Sequence, residues 1–189
     1  MTLIVVGGLI AFAVVLLLIV VGLYNGLVRK RVDCDNAFAQ IDVQLKRRYD
    51  LIPNLVETVK GYASHEKGTL EAVISARNRA VQVQGGTVGE RAQAEGVVTQ
   101  ALGRLFALAE AYPDLKANTN FSSLQEELAS TENKIGFARQ HYNDCVGRYE
   151  ETRQTFPSNI VAGAFNFGAR DYFKVEEPAA REAPKVSFS

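Results

Sequence analysis

Residues Leu3 to Leu23 read LIVVGGLIAFAVVLLLIVVGL, 21 residues without a charged side chain. As a helix rising ~1.5 Å per residue the stretch is about 31 Å long, the thickness of a bilayer's hydrocarbon core. Buried core helices seldom run so far without a polar position. A cleaved signal peptide fits poorly: no Lys or Arg precedes the run, it is long for such a segment, and no convincing A-x-A site follows it. The expected element is an uncleaved transmembrane anchor over residues 1–23, crossing once. Arg29, Lys30 and Arg31 follow closely, whereas Met1 and Thr2 carry no basic side chain. The positive-inside bias then places the remainder in the cytoplasm.

Beyond the anchor, roughly 165 residues suit one domain. Lys plus Arg equals Asp plus Glu at 21 each, so no net field invites nucleic acid, and no nucleic-acid motif occurs. Two cysteines, Cys34 and Cys145, without a C-x-x-C, exclude a disulfide framework and a cysteine zinc module.

Four apolar stripes at helical spacing follow. The first, Cys34, Phe38, Ile41, Leu45 and Tyr49, can continue directly from the anchor. Pro53 lacks an N–H and disfavours the helical region for its predecessor, so this helix is expected to end near Asp50 and a second to start near Pro53. The second carries Leu55, Val59, Tyr62, Glu66, Leu70, Val73 and Ala80 and closes at Gly85-Gly86. Glu66 on that stripe is the anomaly, read as an edge position or an arginine partner. Thr87-Val88-Gly89-Glu90 has capping-box spacing and opens a third helix with Ala94, Val98, Ala101, Leu105, Leu108 and Tyr112, stopped by Pro113. The stretch from Pro113 to Asn120 reads as a loop. A fourth helix opens at Ser122–Glu126, again with capping-box spacing. Its seam, Leu124, Leu128, Thr131, Ile135, Ala138, Tyr142, Cys145, Tyr149, Thr152 and Phe156, alternates steps of four and three.

The expected fold is all-α: a transmembrane helix, an antiparallel four-helix bundle over residues 24–156, and an irregular tail over residues 157–189. Phe165, Phe167, Tyr172 and Phe173 are too aromatic for a purely disordered tail and are expected over the bundle or at the membrane interface. Glu176 to Lys185 reads as an extended link, with Val186 and Phe188 as a short docking segment.

Catalytic constellations are missing from the sequence. A di-iron bundle needs two E-x-x-H motifs, and the chain has only two histidines, His65 and His141. His65-Glu66 lacks the second histidine of a zincin. Asp144 can orient His141, but no paired nucleophile is evident. Both cysteines read as small core residues. No phosphate-binding glycine motif occurs. No catalytic, cofactor or metal site is expected, and no small-molecule substrate is evident. The candidate partner surface is Lys46, Arg47, Arg48, Asp50 and Asn54, placed at the expected Pro53 turn, far from the membrane.

Several stretches are specific enough to compare. They are Tyr24–Val28, the run Ile41–Val56 (IDVQLKRRYDLIPNLV), Gly61–Glu66 (GYASHE), Tyr112–Asn118 (YPDLKAN), Thr131–Ile135 (TENKI) and Phe156–Asn159 (FPSN). Together they resemble the LemA family of bacterial membrane proteins over nearly the whole chain. The resemblance implies a short N-terminal segment, one membrane helix and a four-helix bundle in the bacterial cell membrane. It implies no established reaction; members are discussed as envelope or membrane-organising proteins, some linked to organelle membranes. Phe38 stands where an aromatic, often Trp, is usual, and Glu150 where Asn is common.

The functional expectation is a membrane-anchored scaffold, not an enzyme, that assembles with its own copies or another membrane protein. Gly7 and Ala11 form a small-xxx-small pair suited to close helix approach in lipid. The competing readings are an adaptor for a membrane protease and an enzyme using His141 or Glu66.

Overall fold

The computed structural model describes residues 1–174. Described in full, that stretch contains helices and no strands: α1 (Thr2–Lys60), α2 (Lys67–Gln82), α3 (Val88–Ala109), α4 (Pro113–Lys116), α5 (Thr119–Gln154) and α6 (Ser158–Ala164). The expected link Glu176–Lys185 and the Val186–Phe188 segment lie outside the described residues.

The chain forms two compact units. One comprises Met1–Gln40 with Ala138–Asp171, the other Ile41–Phe137 with residues 172–174. In the first unit Leu27, Cys34, Ala37, Tyr142, Cys145, Val146, Tyr149, Val161 and Phe167 are buried. The ring of Phe38 lies 5.2 Å from that of Tyr142. In the second, Ile41, Leu45, Tyr49, Ile52, Leu55 and Val59 of α1 join Leu70 and Val73 of α2, Val98 and Leu105 of α3, and Leu128 and Ile135 of α5. The fourth stripe is therefore buried from Leu128 to Tyr149, while its expected last member, Phe156, is 74% exposed.

Pro53 does not end the first helix. α1 runs through it for 59 residues, about 88 Å, and the break comes at Gly61–Glu66 instead. A proline inside a helix leaves the carbonyl four residues earlier without its donor. Here that carbonyl belongs to Tyr49, and the Nε–H of Arg77 on α2 donates to it at 3.3 Å. A tertiary donor thus replaces the missing intrahelical one. Pro53→Ala should restore the backbone donor and stabilise the protein by about 1–2 kcal/mol, less than the full ~3 kcal/mol helix penalty because Arg77 already serves the carbonyl. Denaturant unfolding would measure this; an unchanged or lowered midpoint would refute it.

At Gly61–Glu66 the chain turns on backbone bonds from Ala63 N–H to Val59 O at 2.8 Å and Glu66 N–H to Ala63 O at 3.1 Å. The turn takes Tyr62 and Glu66 off the expected stripe, because the stripe belongs to two helices. At α3 the capping box forms as expected: Thr87 Oγ1 accepts from Glu90 N–H at 3.2 Å, and Glu90 Oε2 accepts from Thr87 N–H at 2.8 Å. The Thr87 N–H foremost, and the Thr87 hydroxyl donating to the same oxygen at 2.9 Å, hold the Glu90 carboxyl below its ordinary pKa. α5 opens earlier than expected. Asn118, not Ser122, supplies the cap, its Oδ1 accepting from Phe121 N–H at 3.0 Å. The expected loop after Tyr112 contains α4, begun by Pro113 in its first turn. The tail likewise contains a helix, α6.

Candidate functional site

Of the five expected surface residues, Lys46, Arg47, Asp50 and Asn54 are exposed. Arg47 pairs loosely with Glu127 at 3.5 Å, both side chains about half exposed. Arg48 departs from the group: it is 1% exposed. Position explains this. Arg48 follows Leu45 by three residues and Ile41 by seven, so it sits on the inward stripe, while Lys46, Arg47 and Asp50 face out. The run also lies within α1, not at a turn.

Arg48 organises a buried polar cluster in the second unit. Its Nη1 donates to Glu132 Oε1 of α5 at 2.5 Å and to Thr99 Oγ1 of α3 at 3.1 Å. Its Nη2 donates to Glu95 Oε2 of α3. The Tyr49 hydroxyl donates to the other Glu95 oxygen. One turn of α3 earlier, Arg91 pairs with Asp42. Burial, only partly offset by Arg48 and Arg91, pushes the Tyr49 phenol pKa up, which keeps it a proton donor to Glu95. Glu95 is 5% exposed and Glu132 is half-buried. One guanidinium thus ties α1 to α3 and α5, and its planar fork suits two carboxylates at once. The arrangement holds helices in register; it presents no nucleophile.

A second polar set joins two turns of this unit. Tyr112 O–H donates to Glu66 Oε1 at 3.2 Å, and Asn118 Nδ2 donates to Tyr62 O–H at 2.9 Å. Glu66 therefore resolves as a turn residue with a tyrosine partner, not an arginine one. Sequence reading missed this pairing because neither turn's position was known. An open groove of about 940 Å³ lies along the end of α1 and α2, lined by Val56, Leu70 and Ile74 with Glu57, Lys60 and Arg79 among its charged residues.

In the first unit a latch fastens residues 168–171. Tyr149 O–H donates to Gly168 O at 2.8 Å and Tyr142 O–H to Asp171 O at 2.9 Å. Glu150 Oε1 accepts from Arg170 N–H at 2.9 Å, and Arg170 Nη2 reaches Asp35 at 2.6 Å. Cys34 and Cys145 are both buried and free, and burial raises the Cys34 thiol pKa. His141 is exposed, its Nε2 3.9 Å from Cys145 Sγ, which Arg148 Nη2 approaches at 3.2 Å. His65 is exposed on the Gly61–Glu66 turn. Among the described residues no group of three His, Cys, Asp or Glu side chains could hold a metal ion.

The model of the LemA family matches residues 37–188. Magnetosome protein MamQ 2 of Paramagnetospirillum magneticum is 25% identical over 180 residues, which cover 82% of this chain and 66% of that protein. Magnetosome protein MamQ of Magnetospirillum gryphiswaldense matches with the same identity and coverage. Protein LemA of Metamycoplasma hominis is 25% identical over 142 residues, covering 75% of this chain and 64% of its own. The chain spans slightly less than two thirds of these relatives' length.

Proposed function

The chain belongs to the LemA family, and on that premise we propose that it is a membrane-anchored scaffold built as an antiparallel four-helix bundle. The observation that carries the reading is α1 itself. It is the one described helix long and apolar enough to cross a membrane, and none of its apolar window is buried in the protein. The same helix then continues without a break into residues buried in folded structure, from Leu27 onward. Within the second unit, contacts support the bundle topology: Asp42 meets Arg91 while Arg48 meets Glu95 and Thr99, so α1 and α3 advance in the same direction. Helices one and three run parallel in an up-down bundle.

The partner surface proposed is the exposed set Lys46, Arg47, Asp50 and Asn54, without Arg48. Gly7 and Gly8 have nothing within 4 Å of an added Cβ, which leaves that side of the anchor open to a second helix. Copies confined to one bilayer gain effective concentration, so weak contacts suffice for self-assembly or for docking on another membrane protein.

Cross-linking in native membranes tests this reading. A recurrent homo-oligomer or a single membrane-protein partner is expected, and combined Lys46→Glu and Arg47→Glu should weaken the cross-link about tenfold. Only monomer, with and without the substitutions, would sink it. The same cells can report the side of the membrane. A Cys at Gly85, where an added Cβ meets nothing within 4 Å, should resist an impermeant thiol reagent if the bundle is cytoplasmic. Gly86 is unsuitable, because its Cβ would come 2.8 Å from the Glu90 carboxylate of the capping box.

A further inference from the structure

The first unit exposes apolar side chains where a water-facing surface would not. α6 buries Ser158, Val161 and Ala162, yet leaves Ile160 63% exposed. Phe156 just before it is 74% exposed, and Phe165 just after it 55%. A helix packed on protein and facing water buries its large apolar residues and exposes its serine. Here Val161 and Ala162 follow that pattern, while Ser158 is buried and Ile160 exposed. Single exposed apolar residues are ordinary, but three large ones within ten positions form a patch.

The location of the patch names what covers it. Tyr24 is the first residue after the apolar run Leu3–Leu23. Its ring lies 5.0 Å from that of Phe165 and 5.5 Å from that of Phe167, edge to face in both cases. Phe165 is therefore within about one helical turn of the point where α1 leaves its apolar stretch. The Arg31 guanidinium stands 5.3 Å over the Phe167 ring, on the same aromatic group, and Arg29 is exposed two residues before it along α1. Aromatic rings followed by basic side chains are the sequence of chemistries met on passing from hydrocarbon edge to anionic headgroups.

We infer that α6 with its flanking phenylalanines is an interfacial membrane-contact element: Phe156, Ile160 and Phe165 enter the lipid interface beside the anchor, and Arg29 and Arg31 face anionic headgroups. The inference rests on the reading that Leu3–Leu23 crosses the bilayer, and it holds for either orientation. Its consequence is that the chain touches the membrane at two elements far apart in sequence. The anchor alone leaves α1 free to rotate about its axis; a second contact fixes which side of the first unit faces the lipid.

The test uses the full chain in vesicles of phosphatidylcholine with a minor fraction of phosphatidylglycerol. An environment-sensitive fluorophore is attached to Ile160→Cys, or to Gln140→Cys on the exposed side of α5, about 21 Å of helical rise before that helix ends at Gln154, or to Leu16→Cys in the anchor. The native Cys34 and Cys145 are buried and stay unlabelled. Nitroxide lipids labelled near the headgroup should quench the label at position 160 at least about threefold more than at position 140, and aqueous iodide should show the reverse order. Equal lipid quenching at 160 and 140, with Leu16 strongly quenched by nitroxides placed on the acyl chain, would overturn this inference and leave the anchor intact. A label at Leu16 that escapes the acyl-chain nitroxides would overturn the spanning reading and this inference with it. Because Ile160 is exposed, its substitution should leave the helical circular dichroism unchanged, which each labelled protein must show.

Discussion

Replacing Arg48 by Ala should lower the unfolding free energy by about 3–5 kcal/mol, close to half the stability of an ordinary domain. The reason is what remains behind. Glu95 is 5% exposed and keeps its carboxylate inside the second unit, where Arg48 is its cationic partner and Tyr49 O–H its other donor. Removing the guanidinium leaves that charge desolvated and underpaired. The Glu132 oxygen loses a bond too, but at 32% side-chain exposure it can turn to water, so it contributes less. The double variant Arg48→Met with Glu95→Leu should recover most of the loss, because an apolar pair of similar volume carries no desolvation penalty. The residual cost, about 1–2 kcal/mol, comes from the stranded Tyr49 hydroxyl. Lys46→Ala, on the exposed side, should stay within about 0.5 kcal/mol. Denaturant unfolding of the full chain in detergent would decide. A loss below about 1 kcal/mol for Arg48→Ala would show that water, not Arg48, satisfies Glu95.

The contrast between Arg48 and Lys46 shows what was legible in the sequence. Periodicity identified the apolar members of each stripe, since burial of Leu45, Val73, Val98 and Leu128 depends only on residue type and spacing. The same periodicity places Arg48 inward, but a charge inside a core needs partners, and those partners, Glu95 and Glu132, sit 47 and 84 residues away. No local rule pairs residues over such separations. Pro53 failed for the same reason. Its local effect is to remove a donor, and the donor that compensates comes from Arg77, 28 residues after the carbonyl it serves. Where the signal is local, as in the Thr87–Glu90 capping box, the reading and the structure agree to the residue. α6 was missed because seven residues are too few to show a period, and because its exposed face is apolar, which scrambles the usual pattern.

Glu150→Gln should cost about 1.5–3 kcal/mol at neutral pH and reduce the protein's acid sensitivity. Glu150 is 9% exposed. Burial alone would raise its pKa, but it accepts from Arg153 Nη2 at 2.7 Å and Nε at 2.9 Å, from Arg170 N–H at 2.9 Å and from Gln154 Nε2 at 3.1 Å. These donors outweigh burial and hold the carboxyl below its ordinary value of 4.5. The sign follows from linkage. A carboxyl with a depressed folded-state pKa contributes its stabilisation fully above the unfolded value, and that contribution fades as pH falls through the folded value. The native chain should therefore lose stability on acidification below about pH 4.5, and Glu150→Gln should show a shallower loss over the same window. The site also fastens the tail: Oε2 accepts three bonds, from Arg153 and Gln154, against one at Oε1, so the single oxygen of a Gln amide takes the Oε2 side and turns its NH2 toward Arg170 N–H, whose hydrogen exchange should speed by about tenfold or more. Tyr149 O–H to Gly168 O and Tyr142 O–H to Asp171 O remain in the variant, so residues 168–171 should loosen without detaching. Parallel acid curves for the two proteins, with unchanged exchange at Arg170, would show that Glu150 neither titrates with folding nor holds the tail.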